Sequence, residues 1–476
     1  MKSIGPSTFP APEPPAWTPT LDPGFLPAAL ANRRFRQEVE SQGGGEALIF
    51  ALQGSDGSIT RFATQVFPDG DPRAGNNLLY AERLLKFLLW QRGGWRVYLA
   101  GPQGVFDHLQ ACYAPGGPRA FDAHFMGEQV YQQPFTLLRC PPEQLPEARE
   151  NRRALGRHLE GCRIGFDLGA SDLKVSAVHD GRPVFSQEIE WHPREQTDPA
   201  YHKRHILQAL RLAASKLPRL DAIGGSSAGV YIHNRPMVAS LFRGIPAERF
   251  EEVRNLFQEI GQEMGVPLEV ANDGEVAALA GSMSLEAGAI LGIAMGSSQA
   301  AGYVTPDGSI TDWLNELAFA PVDYSPQAPV EEWSGDRGCG ASYFSQQCVF
   351  RLAPRAGIDI PNDLSPARKL VFVQGLLQAG HEGAARIWQS MGIYLAYALA
   401  HYAEFYEIHH VLLLGRCTSG TGGQLILEEV RRVLPAEFPQ LAAQINVQLP
   451  DEKSRRVGQA IAAASLPELP PAPERV

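Results

Sequence analysis

Short apolar runs in this chain end repeatedly in turns of glycine, serine and alanine, and several of those turns open directly into helical patterns. Residues 163–171 read RIGFDLGAS, and the run from Leu220 ends in Ser226-Ser227-Ala228-Gly229. PLEVAND meets the helix-like GEVAALAGSM, ILGIAMG is followed by SSQ and a second run AAGYV, and HHVLLLG leads through RCTSGTGG into a helical stretch at 424–434. Buried strands that hand over to helices through tight turns are the grammar of an α/β fold, in which ligands gather at the carboxyl ends of strands. Small residues at those ends expose backbone N–H groups and let a ligand approach the main chain.

At 476 residues the chain exceeds one ordinary core, and about 100 to 200 residues per domain predicts two or three lobes. Its 44% apolar and 20% charged residues are those of a globular chain and not of a disordered one. Acidic residues outnumber basic ones by 52 to 42, so the summed field repels polyanions and no nucleic-acid partner is expected. The six cysteines, at 112, 140, 162, 339, 348 and 417, form no C-x-x-C pair, which points to reduced thiols and a cytoplasmic protein. The first twenty residues lack the basic-then-apolar pattern of a secretory signal. The most apolar stretch, 391–406, contains His401 and Glu404 and falls short of the roughly 20 apolar residues that span a bilayer, so it reads as a buried helix and no membrane partner is expected.

Prolines at 6, 10, 12, 14, 15, 19, 23 and 27 make residues 1–28 an extended, solvated arm, ordered only where it lies on a neighbouring surface, and the tail 467–476 repeats that composition. Residues 47–67 read as a hairpin around Gly54-Ser55-Asp56-Gly57, followed by a helix at 77–91, a strand at 95–100 and a helix at 105–113, so 29–150 is a mixed α/β region. The charged stretch 141–160 sets a boundary near residue 150, with a first lobe over 151–282 and a second over 283–466. Single helices are expected over 251–264 and 384–406.

Four constellations carry chemistry. In Asp167-Leu168-Gly169-Ala170-Ser171 a carboxylate could hold a hydrated divalent cation beside a backbone-exposing turn, or the segment is an ordinary hairpin. Asn272-Asp273 sits where a strand meets a helix, a place for an N-cap or for a general base. Gly296-Ser297-Ser298 lies at the bend of a strand–turn–strand, and Gly415 to Gly423 joins a strand to a helix N-terminus; each suits phosphate oxygens or a plain connection. Asp336 and Arg337 could contact a polar ligand or form a surface ion pair.

The order of these four resembles the actin/hexokinase/heat-shock-protein ATPase superfamily, and within it the ROK (repressor, open reading frame, kinase) sugar kinases, over about residues 160–465. The resemblance implies a two-lobed α/β fold of the ribonuclease H-like kind. Asp167 to Lys174 is similar to its first phosphate motif, which implies nucleotide or phosphate contacts at Gly169, Ser171 and Lys174 and a Mg²⁺ held by Asp167 through water. Ala271 to Gly281 is similar to the connecting motif, with Asp273 taking the proton from a sugar hydroxyl and Asn272 bonding a neighbouring one. LGIAMGSSQAAGYV resembles the second phosphate motif, through Gly296, Ser297 and Ser298, and VLLLGRCTSGTGG the adenosine motif, through Gly415, Gly420, Gly422 and Gly423. Glu316 falls at the sugar-contacting glutamate, and Ser227 and Gly229 in the segment that builds part of the sugar pocket. Phe319 stands where the family has a histidine and Ala341 where its Cys-rich motif has a glutamate, so no zinc site is expected; Ser298 and Ala300 replace glycines of the phosphate turn.

The expected activity is transfer of the ATP γ-phosphoryl group to a hydroxyl of a sugar or sugar derivative, in a cleft that closes on substrate, with ATP and Mg²⁺ as cofactors. The alternative is a catalytically silent sugar- or nucleotide-sensing regulator of the same fold. Repressors of this group carry a helix-turn-helix ahead of the kinase-like part, whereas residues 29–150 read as mixed strand and helix. The sugar, the role of residues 1–150 and whether the chain forms a homo-oligomer stay open at this level.

Overall fold

The computed structural model describes residues 14–41, 43–150, 152–153, 156–450 and 452–469, so the prolines at 6, 10 and 12 and the end of the C-terminal tail lie outside the described residues. The chain divides into two compact units. One comprises the chain up to residue 151 with 293–301 and 312–449; the other comprises 152–292, 302–311 and the chain from 450 on. The strands Ile290–Met295 and Gln299–Val304 contribute their bend to the first and their outer halves to the second.

The second unit is built on a five-stranded sheet in the order Leu268–Asn272, Ala222–Ser227, Cys162–Leu168, Asp172–His179, Arg182–Glu190. The first three are parallel and the last two antiparallel. Parallel strands need cover on both faces. On one face the helices Pro199–Ala214 and Leu256–Met264 bring Leu210, Phe257 and Ile260 against Ile164, Phe166 and Ile223. On the other the helix Glu452–Ala464 approaches so closely that a methyl group on Gly165 or Gly224 would run into the main chain of Ala460 or Ala463. The helix expected over 251–264 is two pieces, Phe250–Arg254 and Leu256–Met264, separated at Asn255.

The first unit has a four-stranded sheet, Ile59–Val66, Glu46–Gln53, Arg96–Ala100 and Thr136–Arg139, antiparallel except for the last pair. The hairpin, the helix Asn76–Arg92 and the strand at 96–100 match the sequence pattern within a residue or two. Its centre is the helix Glu382–Tyr402, nearly every residue of which is buried, and among the described residues no helix is long and apolar enough to cross a membrane. The described part of the proline arm is docked rather than solvated. Asp22 accepts from Tyr394 Oη at 2.8 Å and pairs with Arg351 at 2.7 Å and Arg355 at 2.8 Å, while the Phe25 ring meets Tyr394 edge-on at 4.7 Å. Proline prevents helix at 14–26 but leaves aromatic and acidic side chains free to bind a surface, and the helix Ala28–Glu40, unforeseen from sequence, starts as soon as the prolines end.

Candidate functional site

In the second unit the register of three parallel strands sets Asp167, Ser226 and Ala271 in one row, and Leu168, Ser227 and Asn272 in the next, with the serines in the middle. The carboxyl ends of these strands therefore gather one carboxylate, two hydroxyls and one amide. Ser226 Oγ donates to Asp167 Oδ1 at 2.8 Å. Burial raises the Asp167 pKa, and the Ser226 bond and the Lys174 charge oppose that rise.

Asn272, and not Asp273, caps the helix Asp273–Leu285: its Oδ1 accepts from Gly274 N at 2.8 Å and its Nδ2 donates to Gly229 O at 2.7 Å. The Asp273 carboxylate shares that Gly274 N–H, at 3.0 Å, and also accepts from its own backbone N–H. The residue is partly exposed, yet enough protein surrounds its carboxyl to push the pKa up to about 6, with the Asp167 charge adding to the rise and backbone N–H groups opposing it. A carboxyl poised near neutrality on a partly exposed residue suits general-base chemistry. Gly302 fixes its position, since a methyl group there would strike the Gly274 carbonyl in the first turn of the helix. Gly302→Ala is expected to displace that turn with a stability loss of about 1–3 kcal/mol, checked by thermal melting.

The turn at 169–171 is braced by Trp191, whose Nε1 donates to Gly169 O at 2.9 Å and whose N donates to Ser171 O at 3.2 Å. Ser171 is exposed, and Lys174 pairs with Asp172 at 3.1 Å. Ser227 is fully buried and its Oγ accepts from Tyr231 Oη at 2.6 Å, so what it offers is support beneath the strand ends. Gly229 has φ +129° and lies against Val238 and Ala239. Sequence reading missed Ser226 as the Asp167 partner, Tyr231 and Trp191; only Ser226, in the quoted turn, left a signal.

In the first unit the bend at Gly296 and the loop from Gly415 come together. Gly415, at φ +92°, packs on the Met295 main chain, and Gln346 N donates to Gly296 O at 2.9 Å. Ser297, Ser298 and Gly420 are exposed, whereas Gly422 and Gly423 are buried where a methyl group would meet the Trp388 indole or the Thr418 carbonyl. Trp388 Nε1 in turn donates to Cys417 O at 2.8 Å, so those two glycines serve the packing that shapes the loop. A groove of about 280 Å³, lined by Ala367, Leu370, Val371, Gln374, Arg416 and Ser419, opens beside it.

Glu316, also in the first unit, is partly exposed and precedes the short turn Leu317–Phe319. Asp336 is not at the surface as an ion pair. It is 6% exposed and meets Arg83 at 3.0 Å, Arg119 at 2.7 Å and Lys86 at 3.4 Å, while Arg337 bonds the Ala328 carbonyl at 3.0 Å. All six cysteines are free, and among the described residues no group of three or more His, Cys, Asp or Glu side chains is placed to hold a metal ion.

Acidic strand ends, backbone-exposing turns and α/β units of this kind resemble the actin/hexokinase class of fold. The fold is similar to that of a solved structure of the ROK family. A crystal structure of a ROK family transcriptional regulator, a homologue of the E. coli MLC protein, superposes with a TM-score of 0.53 at 17% identity, covering 65% of this chain and 79% of that one. A ROK hexokinase from Thermus thermophilus gives 0.49 at 17%, covering 63% and 97%. A ROK family glucokinase from Streptomyces griseus, in complex with glucose and AMPPNP, gives 0.49 at 17%, covering 64% and 99%. No family profile and no curated protein sequence matches the chain. The solved structures similar to this chain thus comprise a ROK transcriptional regulator, a ROK hexokinase and a ROK glucokinase.

Proposed function

We propose that the protein is a kinase that moves the γ-phosphoryl group of ATP to a hydroxyl of a sugar or sugar derivative. The observation that carries this reading is Asp273, a partly exposed residue relieved of the cap role by Asn272, its carboxyl pKa raised to about 6 by burial and the Asp167 charge. Sugar hydroxyls are weak nucleophiles, and a base positioned on the attacking oxygen removes its proton as the bond to phosphorus forms. A sensor that only binds sugar gains nothing from a destabilised carboxyl. Asn272 has one amide hydrogen beyond its bond to Gly229, enough to orient a second hydroxyl.

Asp167 would hold Mg²⁺ through water. A pair of carboxylates whose charges oppose each other fits a hydrated dication, which uses one or two carboxylates and keeps most of its waters. When bound, the ion would neutralise phosphate charge. The exposed turn at Gly296, Ser297 and Ser298 and the N–H groups near Gly169 and Gly420 would bind phosphate oxygens. The groove beside Arg416, with Leu370 and Val371 on its wall, suits a flat base.

Coupled ADP release over a panel of hexoses, amino sugars and polyols with Mg-ATP tests the reading. Sugar binding without ADP release on any member would replace it with a sensing role. With an active substrate, kcat/KM should fall tenfold per pH unit below about pH 6, because only the ionised base accepts the proton. A profile that stays flat from about pH 5 to 8 would exclude Asp273 as that base.

A further inference from the structure

We propose that the helix Asn76–Arg92, which lies outside the part of the chain resembling kinases, is the positioning element for Glu316 and so belongs to the sugar-binding apparatus. This rests on reading Glu316 as a sugar contact. The last carbonyls of any helix lack partners within it. Here Trp90 O accepts from Glu316 N at 2.9 Å and Gln91 O from Asn315 N at 2.9 Å, so two successive N–H groups of the loop are tied to the helix end. Asn315 is 1% exposed and held at φ +52°, a left-handed conformation that non-glycine residues keep only when their surroundings impose it. Tyr406 Oη donates to its Oδ1 at 2.9 Å, clamping it from the other side.

Beyond Glu316 the turn closes through Phe319 N to Glu316 O at 3.2 Å, and the Phe319 ring stacks on the Trp90 indole at 4.3 Å between centroids. Trp90 is itself anchored, its Nε1 donating to Asp122 Oδ1 at 2.7 Å. The main chain of Glu316 is therefore fixed at its nitrogen, its oxygen and the residue before it. Recognition of a hydroxyl by a carboxylate depends on placement to about 0.5 Å, which requires such locked support. The residue at 319 that lacks an imidazole supplies instead a ring face for Trp90.

The test uses the full chain with Tyr406→Phe, which removes one hydroxyl, and Trp90→Leu, which removes the stacking face. Hydrogen–deuterium exchange should show amides at 313–319 exchanging at least tenfold faster in both variants, with the strand Cys162–Leu168 unchanged. Titration with D-glucose, D-mannose and N-acetyl-D-glucosamine should show the best wild-type binder weakened at least fivefold in both, as in Glu316→Gln, with Mg-ATP affinity within twofold. Weakened sugar binding supports the inference even where no ADP is released, an outcome that overturns the kinase reading alone. Unchanged exchange at 313–319 overturns it, as do sugar affinities that respond to Glu316→Gln and ignore both clamp variants. Sugar affinities indifferent to Glu316→Gln, or no binding by the wild type, also overturn it, by removing the contact the helix is said to position.

Discussion

Asp273→Asn should lose about 10²- to 10⁴-fold in kcat and become more stable, and the two effects have one cause. Burial and the charge of Asp167 lift the folded-state pKa to about 6 from the ordinary 3.8. The folded chain therefore binds that proton more tightly than the unfolded chain does. Between about pH 4 and pH 6 the unfolded state ionises first, so stability falls as pH rises through this window and stays reduced above it. At about 1.4 kcal/mol per unit the shift corresponds to at most about 3 kcal/mol at neutral pH, and partial exposure brings the expected range to roughly 1–3 kcal/mol. Asparagine keeps the shape and cannot ionise, so the penalty disappears together with the base. Melting both proteins at about pH 5 and pH 7.5 should show a gap in midpoint that widens with pH. Wild-type turnover in Asp273→Asn would remove the residue from the chemistry. A gap that ignores pH would mean that its charge is not the destabilising feature.

The strand ends of this site were legible because they rest on local pattern. Asp167, Asn272 and Asp273 each follow an apolar run and precede a turn or helix, and the structure puts all three at carboxyl ends of parallel strands. What no local pattern gives is the use of each polar atom. That Asn272 takes the cap and leaves Asp273 available follows from an N–H direction, and the sealing of Ser227 beneath Tyr231 depends on a hairpin whose path the sequence does not fix. Helices preceded by Asp198-Pro199 and Ser365-Pro366 carried a cap-and-proline signal that reading for strands passed over. The helix Ala28–Glu40 was masked by the proline density ahead of it, although Pro27 stands at its N-cap. The role of the first 150 residues was illegible for a further reason: several of their partners lie more than 200 positions away, and separations of that kind leave no periodicity to read.

Asp336 is the clearest such case, and its removal should cause the largest stability loss predicted for a single side chain. Its carboxylate is shared among Arg83, Arg119 and Lys86, while Glu82 pairs with Arg119 at 2.6 Å and Arg83 at 3.2 Å, and Asp122 pairs with Lys86 at 2.7 Å. Burial alone would raise the Asp336 pKa, but Lys86, Arg83 and Arg119 together hold it far below the usual carboxylate range. Three cations face three acids, and Lys86 is fully buried, so deleting one acid strands positive charge that water cannot reach. Breaking a buried network at one member costs about 3–5 kcal/mol, several times what an exposed pair contributes. Asp336→Ala should therefore lower the melting midpoint substantially, and about as much in 1 M as in 0.1 M NaCl, because ions cannot screen groups they do not reach. Adding Arg83→Met should recover part of the loss, since it removes one of the stranded charges. A loss that vanishes in high salt would place the network in contact with solvent, and strictly additive effects of the two substitutions would show that Arg83 and Asp336 do not act as a pair. Because the same helix carries Arg83 and Lys86 on one turn and ends at the Trp90 and Gln91 carbonyls, Asp336→Ala should also speed exchange at 313–319, tying the folding of this unit to the geometry of the Glu316 loop.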